Sequence, residues 1–188
     1  MKPNFTGRFL MAAAFLLGAG VAGAAGKQAA ATPQTDAALA NSVRHEIVMY
    51  PQYSIFDDVS IEVSHGVVDL TGAVDQPYKK ADIGRLAKNV AGVAQVQNDI
   101  RVLPLSPNDD RLRLSIARAI YGDPAMRKYA NEPFKPIHIL VDNGHVTLTG
   151  MVDTELDKQI AGTQAALAGM SFGRIVNNLY VENLATRS

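Results

Sequence analysis

The residues in this 188-residue chain equipped for chemistry are four histidines, two pairs of adjacent carboxylates and a group of arginines. The histidines are His45, His65, His138 and His145. No two stand four apart, the spacing that sets two metal ligands on one helix face, so no metal site is expected. There is no cysteine, which excludes thiol catalysis and disulfides. Asp57-Asp58 and Asp109-Asp110 have the form of acid/base pairs. Adjacent acids at the start of an element more often cap or turn the chain. Thr71-Gly72 recurs as Thr149-Gly150, and recurrence points to a turn, not a nucleophile. The expectation is a protein without enzymatic activity and without a cofactor.

The arginines are more informative. Residues 111–135 carry six basic groups (Arg111, Arg113, Arg118, Arg127, Lys128, Lys135) against Asp123 and Glu132. Residues 36–104 carry 6 basic and 9 acidic groups. Projected at about 100° per residue from Arg111, Leu112, Ile116, Ala119 and Ile120 fall between about 80° and 180°, a core face. Arg111, Leu114, Arg118 and Tyr121 fall on the opposite side, between about 280° and 360°. Exposed Leu and Tyr beside two Arg suit a lipid interface. Arg meets phosphate in two hydrogen bonds, Tyr sits at headgroup depth and Leu enters the acyl boundary. Arg127, Lys128 and Tyr129 follow, with Phe134 nearby. Each basic group near an anionic membrane contributes about 1 kcal/mol, so the binding expected is weak and salt-sensitive. The face has two other readings: contact with the acidic first half or a partner protein, and plain solvation.

The elements that must position these residues come in two copies. Residues 61–75 (IEVSHGVVDLTGAVD) and 139–153 (ILVDNGHVTLTGMVD) match at nine of fifteen positions without a gap. A spacing of 78 residues is too long for a solenoid repeat and suits a small domain. In copy one, Asp36 is placed as the N-cap of a helix over Ala37–Tyr50, with Leu39, Val43, Ile47 and Tyr50 on one face and Pro51 as the stop. Alternating Val59, Ile61, Val63 and Val68, Leu70, Val74 predict a hairpin about His65-Gly66, which is Asn143-Gly144 in copy two. A second helix is predicted over Gln76–Val90 and a last strand through Val96 and Ile100. That strand follows a crossover helix, so it lies parallel to the strand before it. The fold class expected is α+β: two tandem αββαβ domains, each a three-stranded mixed sheet with two helices on one face.

Copy two is predicted as a helix over Arg111–Tyr121, an insertion of about seven residues within Gly122–Pro136, the hairpin, a helix over Thr154–Leu167 and a strand over Arg174–Val181. The organisation is then a signal peptide over 1–25, a flexible lead-in over 26–35, domain one over 36–104, a linker over 105–108, domain two over 109–183 and a tail over 184–188. Lys2 and Arg8, the apolar Phe9–Ala22 stretch and Ala22-Gly23-Ala24 carry the signal-peptide reading, an uncleaved anchor being the alternative. Without a cysteine the chain is not a lipoprotein, and a periplasmic location is expected. Removing Lys2 and Arg8 leaves a net charge of −2, which points away from nucleic acid.

The recurring pattern, apolar-x-V-x-x-G-x-V-x-L-T-G-x-V-D, then a helix, then V-x-N-x-apolar-x-V, resembles the BON domain. It is carried by Gly66, Val68, Leu70, Gly72, Val74, Ala91-Gly92-Val93, Val96 and Asn98 in copy one. In copy two the matching residues are Gly144, Val146, Leu148, Gly150, Val152, Ile175, Asn177 and Leu179, with Gly169–Gly173 about one residue longer. The resemblance implies an exported envelope protein of Gram-negative bacteria, associated with osmotic or envelope stress and with phospholipid binding. The matching residues are scaffold, so the likeness bears on fold more than on a site. Two functions stand: a protein bound peripherally to anionic phospholipid through domain two, and a non-enzymatic adaptor for other envelope proteins.

Overall fold

A computed structural model of the chain describes residues 35–168 and 173–182. The expected signal peptide, most of the lead-in, the longer step at 169–172 and the tail lie outside the described residues.

In the first domain, α1 (Asp36–Val48) is followed by β1 (Asp58–Ser64), β2 (Val67–Val74), α2 (Pro77–Asn89), β3 (Gln95–Asn98) and β4 (Arg101–Val102). β1 and β2 form the antiparallel hairpin, with Ile61 opposite Leu70 and Val63 opposite Val68. β3 and β4 both run parallel to β2, pairing Val68 with Val96 and Val74 with Val102. They are one row of the sheet broken at Asp99-Ile100, so the sheet has three rows in the order β1-β2-β3. The second domain repeats this with α3 (Pro107–Gly122), β5 (Ile137–Asp142), β6 (His145–Val152), α5 (Glu155–Ala168), β7 (Ile175–Asn177) and β8 (Tyr180–Val181). A 3₁₀ turn (Pro124–Met126) and the short α4 (Arg127–Ala130) fill its insertion. The α+β tandem architecture is as the sequence predicts.

Alternation decides which face each sheet buries. Val68, Leu70 and Val74 point at Leu39, Val43 and Ile47 of α1 and at Ile83 and Ala87 of α2. Ile137, Ile139, Val141, Val146, Leu148 and Val152 do the same for Leu112, Ile116 and Ile120 of α3 and Ala161 and Ala165 of α5. The break in the last row has its own cause. Asn98 Nδ2 donates to the Lys80 carbonyl (2.8 Å), and its Oδ1 accepts from Ile100 N (3.3 Å). Asn177 does the same with Lys158 and Leu179. Each Asn side chain lies against a helix glycine, Gly84 and Gly162, where a methyl group would not fit. The repeated Asn therefore ties the second helix to the last strand.

Four expectations need correction. Asp36 is not the N-cap. Thr35 is, its Oγ1 accepting from Ala38 N (3.2 Å). The Asp36 carboxylate instead accepts from His65 N (2.9 Å) and Gly66 N (3.2 Å) in the hairpin turn. Asp109 grips Asn143 N (3.0 Å) and Gly144 N (2.9 Å) in the same way, behind the true cap Ser106. Both turn residues have positive φ (52° and 79°, 50° and 80°), which aims two successive N–H groups at one carboxylate. Pro107 and Asn108, expected in the linker, are the first residues of α3. Asp36 and Asp109 stand 73 residues apart but their turns 78, so the net insertion is five residues, not seven. Gly72 and Gly150 are not in turns. They lie inside β2 and β6, opposite Val59 and Ile137.

The two domains pack together. Ile55, in the loop between α1 and β1, accepts a hydrogen bond at its carbonyl from Ile139 N of β5 (2.7 Å). Ile55 and Phe56 lie against the second core. Tyr53 and His138 meet with ring centroids 6.0 Å apart, and Arg101 pairs with Asp142 at 3.1 Å.

Candidate functional site

The outer face of α3 holds some of the residues the sequence singles out. Arg111, Leu114 and Arg118 are exposed together, Leu114 at 45%. Arg111 is steadied by its own helix start, donating from Nε to the Pro107 carbonyl (3.2 Å) and from its guanidinium to Asn108. Arg127 is exposed at the start of α4. Arg113, counted only as basic charge by sequence, is buried at 2% exposure and holds Asp110 (2.5 Å) and the Val141 carbonyl (2.8 Å).

Tyr121, Lys128 and Tyr129 do not join that face. Tyr121 is half-buried, and its hydroxyl donates to the Ile137 carbonyl (2.7 Å) and accepts from Ile137 N (3.2 Å). Burial pushes its ionisation above the ordinary tyrosine range. Tyr129 is buried at 1% exposure, its hydroxyl donating to Asp157 (2.9 Å) and accepting from Asp153 N (2.7 Å). The Lys128 ammonium bridges Asp153 (2.7 Å) and Asp157 (2.9 Å), 4.8 Å from the centre of the Tyr129 ring. These three build the insertion onto its domain. The helical projection fails for Tyr121 because α3 packs on α5, β5 and the 3₁₀ turn at once, which widens its buried arc.

Two residues missed by the sequence reading extend the α3 face. α3 begins beside the β5–β6 turn, where Asp109 grips Gly144, and α5 runs back toward the same end, where Gly173 N donates to Gly144. The helices are therefore antiparallel neighbours, joined at the far end by Gln164 donating to Asp123 (2.6 Å). Leu156 and Leu167 of α5 are 64% and 58% exposed. They project within about 20° of each other and more than about 100° from Ala161 and Ala165. The spacing was there in the sequence. The outer helical surface thus carries three exposed leucines among Arg111 and Arg118.

Each domain also holds an ionic lock, and the two have opposite polarity. In domain one, Lys79 of α2, 4% exposed, lies between Asp57 (2.7 Å) and Asp75 (2.6 Å). Asp57 is fully buried and also accepts from Ser54 N, Ser54 Oγ and Asp75 N. Asp75 supplies the second anion of the lock. In domain two the position 78 residues on from Lys79 is Asp157, and the cation, Lys128, comes from the insertion. The adjacent acids are thus structural: Asp57 anchors a lock and Asp109 a turn. Glu62 and His65, spaced as a helical ligand pair would be, lie on a strand and a turn. Among the described residues no group of three or more His, Asp or Glu is placed to hold a metal ion.

One carboxyl of each lock, Asp157 and Asp75, responds to acid in the opposite sense. For Asp157, burial favours the neutral acid, but hydrogen bonds from Thr154, Lys128 and Tyr129 outweigh it and hold the carboxyl below its ordinary 3.8. Its contribution is whole above that value and is lost as pH falls through the folded pKa. For Asp75, burial is the largest influence and raises the carboxyl above 3.8 despite Lys79. The folded state then takes up that proton first, so this group's contribution falls as pH rises from 3.8 through its folded value. Acidification to about pH 3 should therefore raise amide exchange at α4 and the start of α5 before it does so around α2. Loss of protection at α2 first would overturn this assignment.

The family model of the BON domain matches residues 35–104 and again residues 108–183, the two halves just described. The chain belongs to the BON domain family. BON domains are generally non-enzymatic, and here two follow in tandem. The uncharacterized protein in the gshII 5′ region of Anaplasma centrale is 30% identical over 125 residues, which cover 64% of this chain and 78% of that protein. Among solved structures, CdsD, a structural protein of the type III secretion system of Chlamydia trachomatis, shares 14% identity with this BON protein at a TM-score of 0.26, over 79% of this chain and 97% of that one. A structure of the CdsD C-terminal domain shares 12% identity at a TM-score of 0.27, over 77% and 97% of the respective chains. Neither likeness carries weight for the function of these BON domains.

Proposed function

We propose that the chain is a non-enzymatic protein of the cell envelope, exported to the periplasm, that attaches reversibly to anionic phospholipid through the helical layer of domain two. Leu114, 45% exposed between exposed Arg111 and Arg118, carries the reading. An apolar side chain flanked by two guanidinium groups has little to gain from water and suits the boundary between headgroups and acyl chains. Leu156 and Leu167 extend that surface. No helix among the described residues is long and apolar enough to cross a membrane, and the attachment proposed is peripheral. Envelope maintenance under osmotic stress is the wider role this attachment fits.

The test is co-sedimentation with vesicles of anionic and of zwitterionic phospholipid at low and high salt. Binding should be confined to anionic vesicles and weakened by salt. Arg118→Glu should cost about 2 kcal/mol, a factor of about thirty in affinity. No binding under any condition, or binding indifferent to Arg118→Glu, would reject the lipid reading. A stable protein complex unaffected by that substitution would then favour the adaptor.

A further inference from the structure

The face of the second sheet opposite its helices meets the first domain and leaves a groove of about 400 Å³ between them. Val48, Ile55, Pro133 and Phe134 give it apolar walls, and the touching rings of Tyr53 and His138 line it as well. Phe134 is 57% exposed at its rim. The charge it presents is one-sided: Lys135 lines it and no carboxylate does. His138 Nδ1 is buried without a hydrogen-bond partner, and so is Thr149 Oγ1, on the residue directly opposite His138 across the hairpin. Buried polar atoms are seldom left unpaired, and such exceptions gather where a ligand supplies the missing partner.

The strand edge beside the groove narrows the choice of occupant. An extended peptide could add itself to the outer edge of β5 only if that edge offered free backbone groups. Here most of them are taken. The Tyr121 hydroxyl takes both the N–H and the carbonyl of Ile137, and the Ile55 carbonyl takes the N–H of Ile139. Recognition is left mainly to side chains: apolar walls, one ammonium and the imidazole of His138.

We infer that this groove binds a single-chain fatty carboxylate, its hydrocarbon against Val48, Ile55, Pro133 and Phe134 and its carboxylate toward Lys135 and His138. The site lies on the opposite side of the second sheet from α3 and α5, so it stands independently of the membrane surface proposed above.

Titration calorimetry of the full chain with decanoate, kept below its micelle concentration, tests the assignment. A saturable one-to-one isotherm is expected. Lys135→Met should weaken it about tenfold through loss of the charged partner, and Phe134→Asp should abolish it. Both side chains are exposed, so folding is not at issue. Arg118→Glu should leave decanoate binding unchanged, which separates this site from the phospholipid face. Decanol should bind at least about tenfold more weakly than decanoate. No saturable binding, binding that survives Phe134→Asp, or equal affinity for decanol would overturn the inference. Displacement of decanoate by a peptide that adds to β5 would overturn it in favour of a protein partner.

Discussion

Lys79→Met should destabilise the first domain by about 3–5 kcal/mol. The substitution keeps most of the side-chain volume and removes only the ammonium. What remains is the Asp57 carboxylate at 0% exposure with no cation beside it. Hydrogen bonds from Ser54 and Asp75 N stay, but they cannot replace the charge. The exposed Arg85–Asp82 pair is the control: with Arg85 70% exposed, Arg85→Met should cost less than about 0.5 kcal/mol. Adding Asp57→Asn to Lys79→Met should recover part of the loss, because the stranded charge is then gone. Urea unfolding followed by amide exchange in each domain reads the effect without assuming that both domains unfold together. If Lys79→Met stays within about 1 kcal/mol of the parent, the lock is not what holds α2 down.

Gly150→Ala should cost about 3 kcal/mol or more, from two causes that add. Gly150 has φ +106°, where residues with a Cβ are strained, and the added methyl would collide with the Pro136 carbonyl oxygen. That oxygen is fixed by Met151 N at 3.1 Å, so it cannot step aside cheaply. Gly72 repeats the situation against the Asp58 carbonyl at the same φ. Gly144→Asn supplies the contrast. Its φ of +80° is one that Asn tolerates, and the nearest heavy atom to a Cβ there is 3.8 Å away. The cost should be about 1 kcal/mol, so the difference in melting temperature between the two variants isolates the collision. Equal melting temperatures would place the whole effect in the backbone angle.

The fold was legible where side-chain identity and local geometry coincide. Asn143-Gly144 between alternating apolar residues determines the hairpin register by itself. Asp36 was harder, because a carboxylate in the first helical turn reads equally well as a cap. Only the tertiary position of the turn shows that it serves His65 and Gly66. Gly72 and Gly150 misled for a related reason: the backbone that crowds them belongs to a segment more than ten residues away in sequence. In the candidate site, Arg111, Leu114 and Arg118 were readable from a helical projection alone. Tyr121 and Tyr129 were not, since their hydroxyls find backbone groups of β5 and of the β6–α5 turn that no projection contains. Leu156 and Leu167 were within reach of the same projection applied to α5.

Two copies of one fold on a single chain invite mispairing as they form. α2 and α5 approach their sheets in the same way, each admitting an Asn side chain beside a helix glycine. Shape alone would let them trade places. Their connections forbid it. Asp75 and Gln76 alone separate β2 from α2, and Asp153 and Thr154 alone separate β6 from α5. A two-residue link spans only about 7 Å, so neither helix can leave the sheet that its own strand has joined.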